Sequence, residues 1–161
     1  MNYFELFQLP HHPAVDKALI NKKYRELQRQ YHPDFFTQAD ENSMNEALEK
    51  SAAVNKAYNI FSSPEKTIAY FLETQGLIAE NEKYNLPPEF LMEMMELNES
   101  IAEQQGTEAG MKINAFEQEL QNEIAPILVK KTMPDTTEME MLKAYYYKKK
   151  YLKRILDRLD D

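Results

Sequence analysis

Apolar residues recur at helical spacing along most of the chain, and this pattern predicts helices. In the segment after Asp16 they are spaced by one, three or four residues, which lines one face of a helix ending near Tyr31. A second amphipathic segment runs from about Glu41 to Phe61. Two such helices joined by a polar loop predict a helical hairpin. The two stripes are Leu19, Ile20, Tyr24, Leu27 and Tyr31, then Met44, Leu48, Val54, Tyr58 and Phe61.

Short helices are predicted on both sides of this hairpin. The first spans Tyr3 to Leu9 and is stopped by a proline. The second starts after Ser63, because that hydroxyl can cap a helix whose first position is Pro64. It is expected to end near Gly76, where glycine suits the left-handed conformation that terminates many helices.

The second half of the chain predicts three longer helices. They cover about Glu89 to Gln105, Glu108 to Lys130 and Glu138 to Leu159, and Pro126 is expected to bend or interrupt the second. The connections between them are short. Such spacing predicts an antiparallel three-helix bundle.

The fold class that follows is all-α. Only three glycines occur in 161 residues, the long segments are rich in helix formers, and no segment has a convincing strand pattern. The tandem prolines in the stretch 76–88 indicate a linker or boundary. We therefore expect an N-terminal domain over 1–75 and a C-terminal bundle over 89–161.

Composition excludes several classes of function. The chain has no cysteine and three histidines, so neither a thiol nucleophile nor a zinc site is expected. No phosphate-binding glycine loop, catalytic triad or Glu-x-x-His metal pair occurs, so we expect no cofactor and no enzymatic activity. No apolar run approaches the ~18 residues of a membrane span, and the N-terminus lacks a leader pattern. The expected location is the cytoplasm.

Charge is distributed unevenly between the two halves. The chain carries 27 acidic and 19 basic residues, a net charge of -8 that argues against binding to nucleic acid. Between Lys17 and Tyr31, however, five basic residues face one glutamate, whereas between Glu80 and Glu123 eleven glutamates face two lysines. This asymmetry predicts different partners for the two halves.

The tripeptide His32-Pro33-Asp34 lies where the basic helix should end. Proline disfavours helical geometry in the residue before it, so Pro33 should stop the helix and present His32 and Asp34 in a loop. Taken alone, the tripeptide is also compatible with a helix stop flanked by solvated residues. The surrounding pattern of helices decides between these interpretations.

This arrangement resembles the J-domain, the module with which co-chaperones stimulate ATP hydrolysis by DnaK-type heat-shock ATPases. The resemblance covers Asn2 to Glu73 and rests on the tripeptide, the basic helix before it, the short aromatic helix at the start and the helix that begins at Pro64.

Three segments narrow the resemblance to the HscB family of J-proteins, which serve iron-sulfur cluster biogenesis. They are Asn2 to Pro10, Leu27 to Asp34, and Phe90 to Leu97. This resemblance implies two partners, the chaperone HscA and the cluster scaffold IscU. The chain departs from many J-domains at Phe35-Phe36, where a lysine and a polar residue are common.

The J-domain resemblance also implies which residues bind the chaperone. The helix before the tripeptide docks on the ATPase in this family, and a basic face steers association with an acidic surface. The implied chaperone-binding residues are His32, Pro33, Asp34, Lys22, Lys23, Arg25 and Arg29.

A second surface is predicted on the first helix of the bundle, which carries two apolar stripes. If one stripe packs into the bundle, the other must face solvent or a partner. We expect the core stripe to be Phe90, Met94, Leu97 and Ile101. The HscB pattern assigns scaffold binding to the other, namely Leu91, Met92, Met95, Glu96 and Glu99, with Tyr151 beside it.

Two alternatives concern the bundle. The run from Tyr145 to Lys150 joins tyrosines and lysines, but consecutive residues wind around a helix and cannot form one stacking face for nucleic acid. Its lysines are expected to offset the acidic helix across the bundle. The other alternative keeps the J-domain and makes the bundle a dimerisation module or the binding site for another client.

Overall fold

A computed structural model describes residues 1–103 and 106–158, and throughout these residues the regular structure is helical. The all-α prediction is confirmed. The predicted helix ends at Gln105 and Leu159 lie outside the described residues. The helices are α1 (Tyr3–Leu6), α2 (Lys17–Tyr31), a 3₁₀ helix (Pro33–Phe36), α3 (Glu41–Phe61), α4 (Pro64–Thr74), α5 (Pro88–Ala102), α6 (Gly106–Val129) and α7 (Thr136–Asp157).

The chain divides into two compact units, Met1–Gln75 and Gly76–Asp161. The first contains α1 to α4 and the second α5 to α7. The stretch 76–88, which the sequence suggested as a linker or boundary, lies within the second unit.

Side-chain caps begin the helices of the first unit where the sequence predicts them. The Asp16 carboxylate accepts a hydrogen bond from the Ala18 amide (2.9 Å), and the Ser63 hydroxyl accepts one from the Lys66 amide (3.2 Å). Each satisfies an amide that the first helical turn leaves unpaired. After α4, Gly76 has a φ of +69°, the left-handed conformation expected at a helix end.

Polar and aromatic contacts hold α2 against α3 in the predicted hairpin. The rings of Tyr24 and Tyr58 stack at 4.1 Å, and the Gln28 amide donates to Asn55 at 2.8 Å. As the residue number rises on α2 it falls on α3, so the two helices are antiparallel. Extending this register places Leu48 near the 3₁₀ helix.

A cluster of aromatic rings joins α1, α3 and α4 in the first unit. Phe4 on α1 lies 5.2 Å from Phe61 on α3 and 5.5 Å from Tyr70 on α4, measured between ring centroids. One prediction for α3 was wrong: Leu48 is 47% exposed, whereas Ala47 is buried. Adjacent residues on a helix are rotated by about 100°, so the buried face at this turn of α3 passes through Ala47 and leaves Leu48 outside it.

The second unit is an antiparallel bundle, as predicted. Lys130 Nζ at the end of α6 lies 2.9 Å from Glu138 Oε2 at the start of α7, whereas Lys148 pairs with Glu123 farther back on α6. Pro126 does not interrupt α6, which continues from Gly106 to Val129. The proline is exposed and lies within the last turn of this helix, where one missing backbone hydrogen bond is readily tolerated beside the buried apolar side chains.

The segment 76–88 packs along α7. The Lys143 ammonium lies 2.7 Å from Glu82 Oε1, and the Tyr147 hydroxyl donates to the other oxygen of the same carboxylate. The Tyr84 ring stacks on Tyr147 at 4.5 Å. These contacts hold a stretch without helix or strand against α7.

The Glu82 cluster should make the stability of this unit depend on pH. Hydrogen bonds from Lys143, and then from Tyr147, hold the pKa of the Glu82 carboxyl below its ordinary value. An unfolded glutamate titrates near ~4.3, so the stabilisation is fully present above that pH and is lost as pH falls through the lowered pKa. We expect the unfolding temperature to fall less between about pH 5 and pH 3 in Glu82→Gln than in the wild type.

Thermal unfolding followed by circular dichroism across this pH range measures the effect. The matched control is Glu80→Gln, because Glu80 is an exposed glutamate two residues away. Parallel pH profiles for the wild type and Glu82→Gln would contradict the assignment.

Candidate functional site

The tripeptide lies at the junction between α2 and the 3₁₀ helix. His32 has φ -61° and ψ 131°, an extended conformation, while its amide still donates to the Gln28 carbonyl at 2.9 Å. Pro33 then starts the 3₁₀ helix. The change in direction follows from proline sterics, since Pro33 excludes helical geometry at His32.

The side chains of His32 and Asp34 face each other and remain accessible to solvent, with exposed fractions of 46% and 86%. The Asp34 amide donates to His32 Nδ1 at 3.2 Å, which requires a lone pair on that nitrogen. The same nitrogen lies 3.6 Å from the Asp34 carboxylate, an ion pair only if the imidazole is protonated. In the tautomer in which Nδ1 accepts this amide, the hydrogen is on the other ring nitrogen, Nε2.

Three of the four basic residues predicted on α2 share one exposed face. Lys22, Arg25 and Arg29 are spaced by three and four residues, and His32 continues this line at the helix end. Within the described residues none of these three cations forms an ion pair. Lys23 differs, because it is half-buried and its ammonium donates to the Gln8 side chain at 3.0 Å.

The two phenylalanines after the tripeptide occupy different environments. Phe35 is 69% exposed, whereas Phe36 is half-buried. The Phe35 ring meets the His32 imidazole edge to face at 6.2 Å. The sequence marks both residues as a departure from the J-domain pattern, but helical periodicity cannot tell which one points outward from a single 3₁₀ turn.

The predicted second surface lies on the side of α5 opposite the bundle core. Met92 and Met95 are 64% and 62% exposed, and Glu96 and Glu99 are also exposed. Leu91 is half-buried at the edge of this group.

The core stripe of α5 is confirmed at three of its four positions. Phe90, Met94 and Leu97 are buried, whereas Ile101 is only half-buried. Tyr151, on α7, is half-buried and its ring meets Phe90 edge to face at 6.0 Å. This contact brings Tyr151 to the flank of α5.

Glu93 lies on a different side of α5, facing α6. Burial raises the pKa of its carboxyl, and the nearby charge of Glu119 raises it further. The carboxylates of the second surface are exposed instead, so they remain available to a partner. Among the described residues no group of histidine, aspartate and glutamate side chains is arranged to hold a metal ion.

The lysines of α7 offset the acidic helix α6, as predicted. Lys148 lies 3.6 Å from Glu123, and Lys149 lies 4.0 Å from Glu117. Tyr145 and Tyr147 are buried, so the tyrosine run does not form an exposed stacking face. None of the described helices is long and apolar enough to cross a bilayer.

Fold and site together define a class of protein, the J-domain co-chaperones with a C-terminal helical bundle. The family model described as "DnaJ domain" matches residues 2–70. The model described as "HSCB C-terminal oligomerisation domain" matches residues 86–160. Each match falls within one of the two compact units.

Curated relatives and solved structures specify the family. A co-chaperone protein HscB homolog of Vibrio vulnificus is 39% identical over 119 residues, covering 73% of this chain and 70% of the relative. The crystal structure of human co-chaperone protein HscB has a TM-score of 0.80 at 27% identity, covering 99% of this chain and 81% of that one. Chaperone HscB from Vibrio cholerae has a TM-score of 0.61 at 30% identity, covering 99% of both chains. The chain belongs to the HscB co-chaperone family.

Proposed function

We propose that the chain stimulates the ATPase of a DnaK/HscA-type chaperone through residues 1–75 and delivers the iron-sulfur scaffold IscU to it through the bundle, residues 89–161. Cluster transfer and maturation of iron-sulfur proteins in the cytoplasm follow from that delivery. The observation that carries the proposal is the position of His32-Pro33-Asp34 at the end of a basic face that has no ion pair among the described residues, in a chain of the HscB family.

The basic face supplies long-range attraction to the chaperone. Lys22, Arg25 and Arg29 have no carboxylate partner within the described part of the chain, so their charges are available to an acidic surface. Lys23 contributes charge from the flank. Attraction of this kind speeds association and weakens with salt, since the Debye length is only ≈ 8 Å at physiological ionic strength.

The tripeptide supplies the specific contact at the end of that face. His32 offers a ring nitrogen as a donor, Asp34 offers a carboxylate, and Pro33 holds the turn between them. A donor and an acceptor at a fixed separation can recognise complementary groups on the chaperone with little ordering cost.

The scaffold binds on the separate surface of α5. Met92 and Met95 offer adaptable apolar side chains, and Glu96 and Glu99 border them with charge. With Leu91 and Tyr151 at the edges, the group combines an apolar centre with a polar rim, as protein interfaces commonly do. The two surfaces lie on different units, so the two partners share no contact residue.

An alternative assigns the bundle to dimerisation or to another client. The matched description "oligomerisation domain" favours the dimer version. In that case, the exposed methionines of α5 would meet a second copy, and the sedimentation coefficient of the chain alone would rise with concentration.

ATP turnover by the cognate HscA-type chaperone tests the proposal. We expect the chain to accelerate turnover, and the scaffold to increase that acceleration more than additively. Stimulation that is the same with and without scaffold would favour the alternative role of the bundle. No stimulation under either condition would contradict the proposed function.

A further inference from the structure

An exposed aromatic side chain lies directly beside the tripeptide. Phe35 is 69% exposed, although burying a phenylalanine side chain normally stabilises a protein. Its backbone is held in place, because the Phe35 amide donates to the His32 carbonyl at 3.0 Å within the 3₁₀ helix. The ring is therefore presented outward by an ordered turn.

A second exposed apolar side chain lies on α3. The register of α2 and α3 places Leu48, which is 47% exposed, at the same end of the hairpin as the 3₁₀ helix. Phe36, by contrast, is half-buried, so the two adjacent phenylalanines have different roles. The end of the hairpin thus combines a donor, a carboxylate and an outward apolar ring.

We propose that Phe35 is a specificity-determining contact that inserts into an apolar pocket of the chaperone ATPase beside the groups that meet His32 and Asp34. This inference rests on the proposed function and adds the chemistry of the partner surface. Many J-domains place a lysine at this position, and a lysine demands an acidic or wet partner surface. A ring at the same place selects a chaperone that offers an apolar pocket there.

The contact between the Phe35 and His32 rings raises a competing role for Phe35. At 6.2 Å, edge to face, Phe35 could hold the imidazole in place instead of touching the chaperone. The two roles differ in what they change. Loss of docking raises the co-chaperone concentration required for half-maximal stimulation, whereas loss of positioning lowers the maximal stimulated rate.

The experiment measures chaperone ATP turnover against co-chaperone concentration for the full chain and its variants. We expect Phe35→Ala to raise the half-maximal concentration about tenfold with the maximal rate unchanged, from the loss of one buried aromatic contact. Phe35→Leu should remain within about threefold of the wild type, because it keeps an apolar side chain of similar reach. Phe35→Lys should require a half-maximal concentration at least as high as that of Phe35→Ala.

Met111→Ala is the matched control, since Met111 is also 69% exposed but lies on α6 in the other unit. Circular dichroism checks that each variant folds. An unchanged half-maximal concentration for Phe35→Ala, or a fall in its maximal rate alone, would overturn the inference while leaving the proposed function intact. Failure of the wild type to stimulate the chaperone would overturn both.

Discussion

Replacing His32 by glutamine is expected to reduce chaperone stimulation to the unstimulated rate. Glutamine keeps a polar side chain, but it lacks the rigid ring whose Nδ1 accepts a hydrogen bond from the Asp34 amide. Removing one member of a specific polar contact set at an interface costs about 2–5 kcal/mol. Such a loss weakens the affinity of the productive complex by a factor of about thirty or more. Steady-state ATP turnover, measured across co-chaperone concentrations up to the one that saturates the wild type, detects it.

The fold should not change, because the His32 side chain is 46% exposed and does not belong to the buried core. We expect the melting temperature and the affinity for the scaffold to match those of the wild type. The control variant is Asn59→Gln, since Asn59 is an exposed residue on α3 in the same unit and is replaced by the same amino acid. Retained stimulation by His32→Gln would remove the central residue of the proposed function.

The starts of α2 and α4 could be predicted from the sequence, because each depends on a local side-chain hydrogen bond. Asp16 and Ser63 cap α2 and α4 through bonds that span two or three residues, so the residue type and the next few positions are sufficient. The two stripes of α5 were predictable for a similar reason. One face of a packed helix must be buried, and the helical period identifies which residues share it.

Sequence-based predictions failed, or were not made, at positions whose environment is determined by tertiary contacts. Leu48 follows the apolar period of α3, yet its neighbour Ala47 is the residue buried at this point of the helix. Glu82 lies in a stretch that composition marks as a linker, and only the fold brings Lys143 and Tyr147 to it. The outward direction of Phe35 depends on a single 3₁₀ turn, which is too short to carry a periodic signal.

Substitutions at two adjacent methionines on α5 are expected to affect stability and binding separately. Met94 is fully buried and Met95 is 62% exposed, although the two residues have the same side chain. Truncating Met94 to alanine leaves a cavity and should cost about 2–5 kcal/mol of unfolding free energy. Truncating Met95 removes no core contact, so any effect must arise in a complex.

The double substitution Met92→Ala/Met95→Ala is expected to weaken scaffold binding by at least about a hundredfold. If each methionine is covered in the complex, replacing it by alanine removes roughly 1.5–3 kcal/mol of binding free energy. The two side chains lie on one face of α5, so both are expected to contribute. The free energy of unfolding should change by no more than about 0.5 kcal/mol, because both side chains are exposed in the free chain. Isothermal titration with the scaffold and denaturant unfolding of the free chain measure the two effects.

Stimulation of the chaperone in the absence of scaffold should be unchanged in this double variant, since the J-domain surface lies in the other unit. Met111→Ala controls for the loss of an exposed methionine elsewhere on the bundle. If scaffold affinity survives while a concentration-dependent dimer of the free chain is lost, the methionines serve self-association and the alternative role of the bundle is correct. If both affinity and oligomeric state survive, the exposed face of α5 does not bind the scaffold, and delivery must depend on another surface.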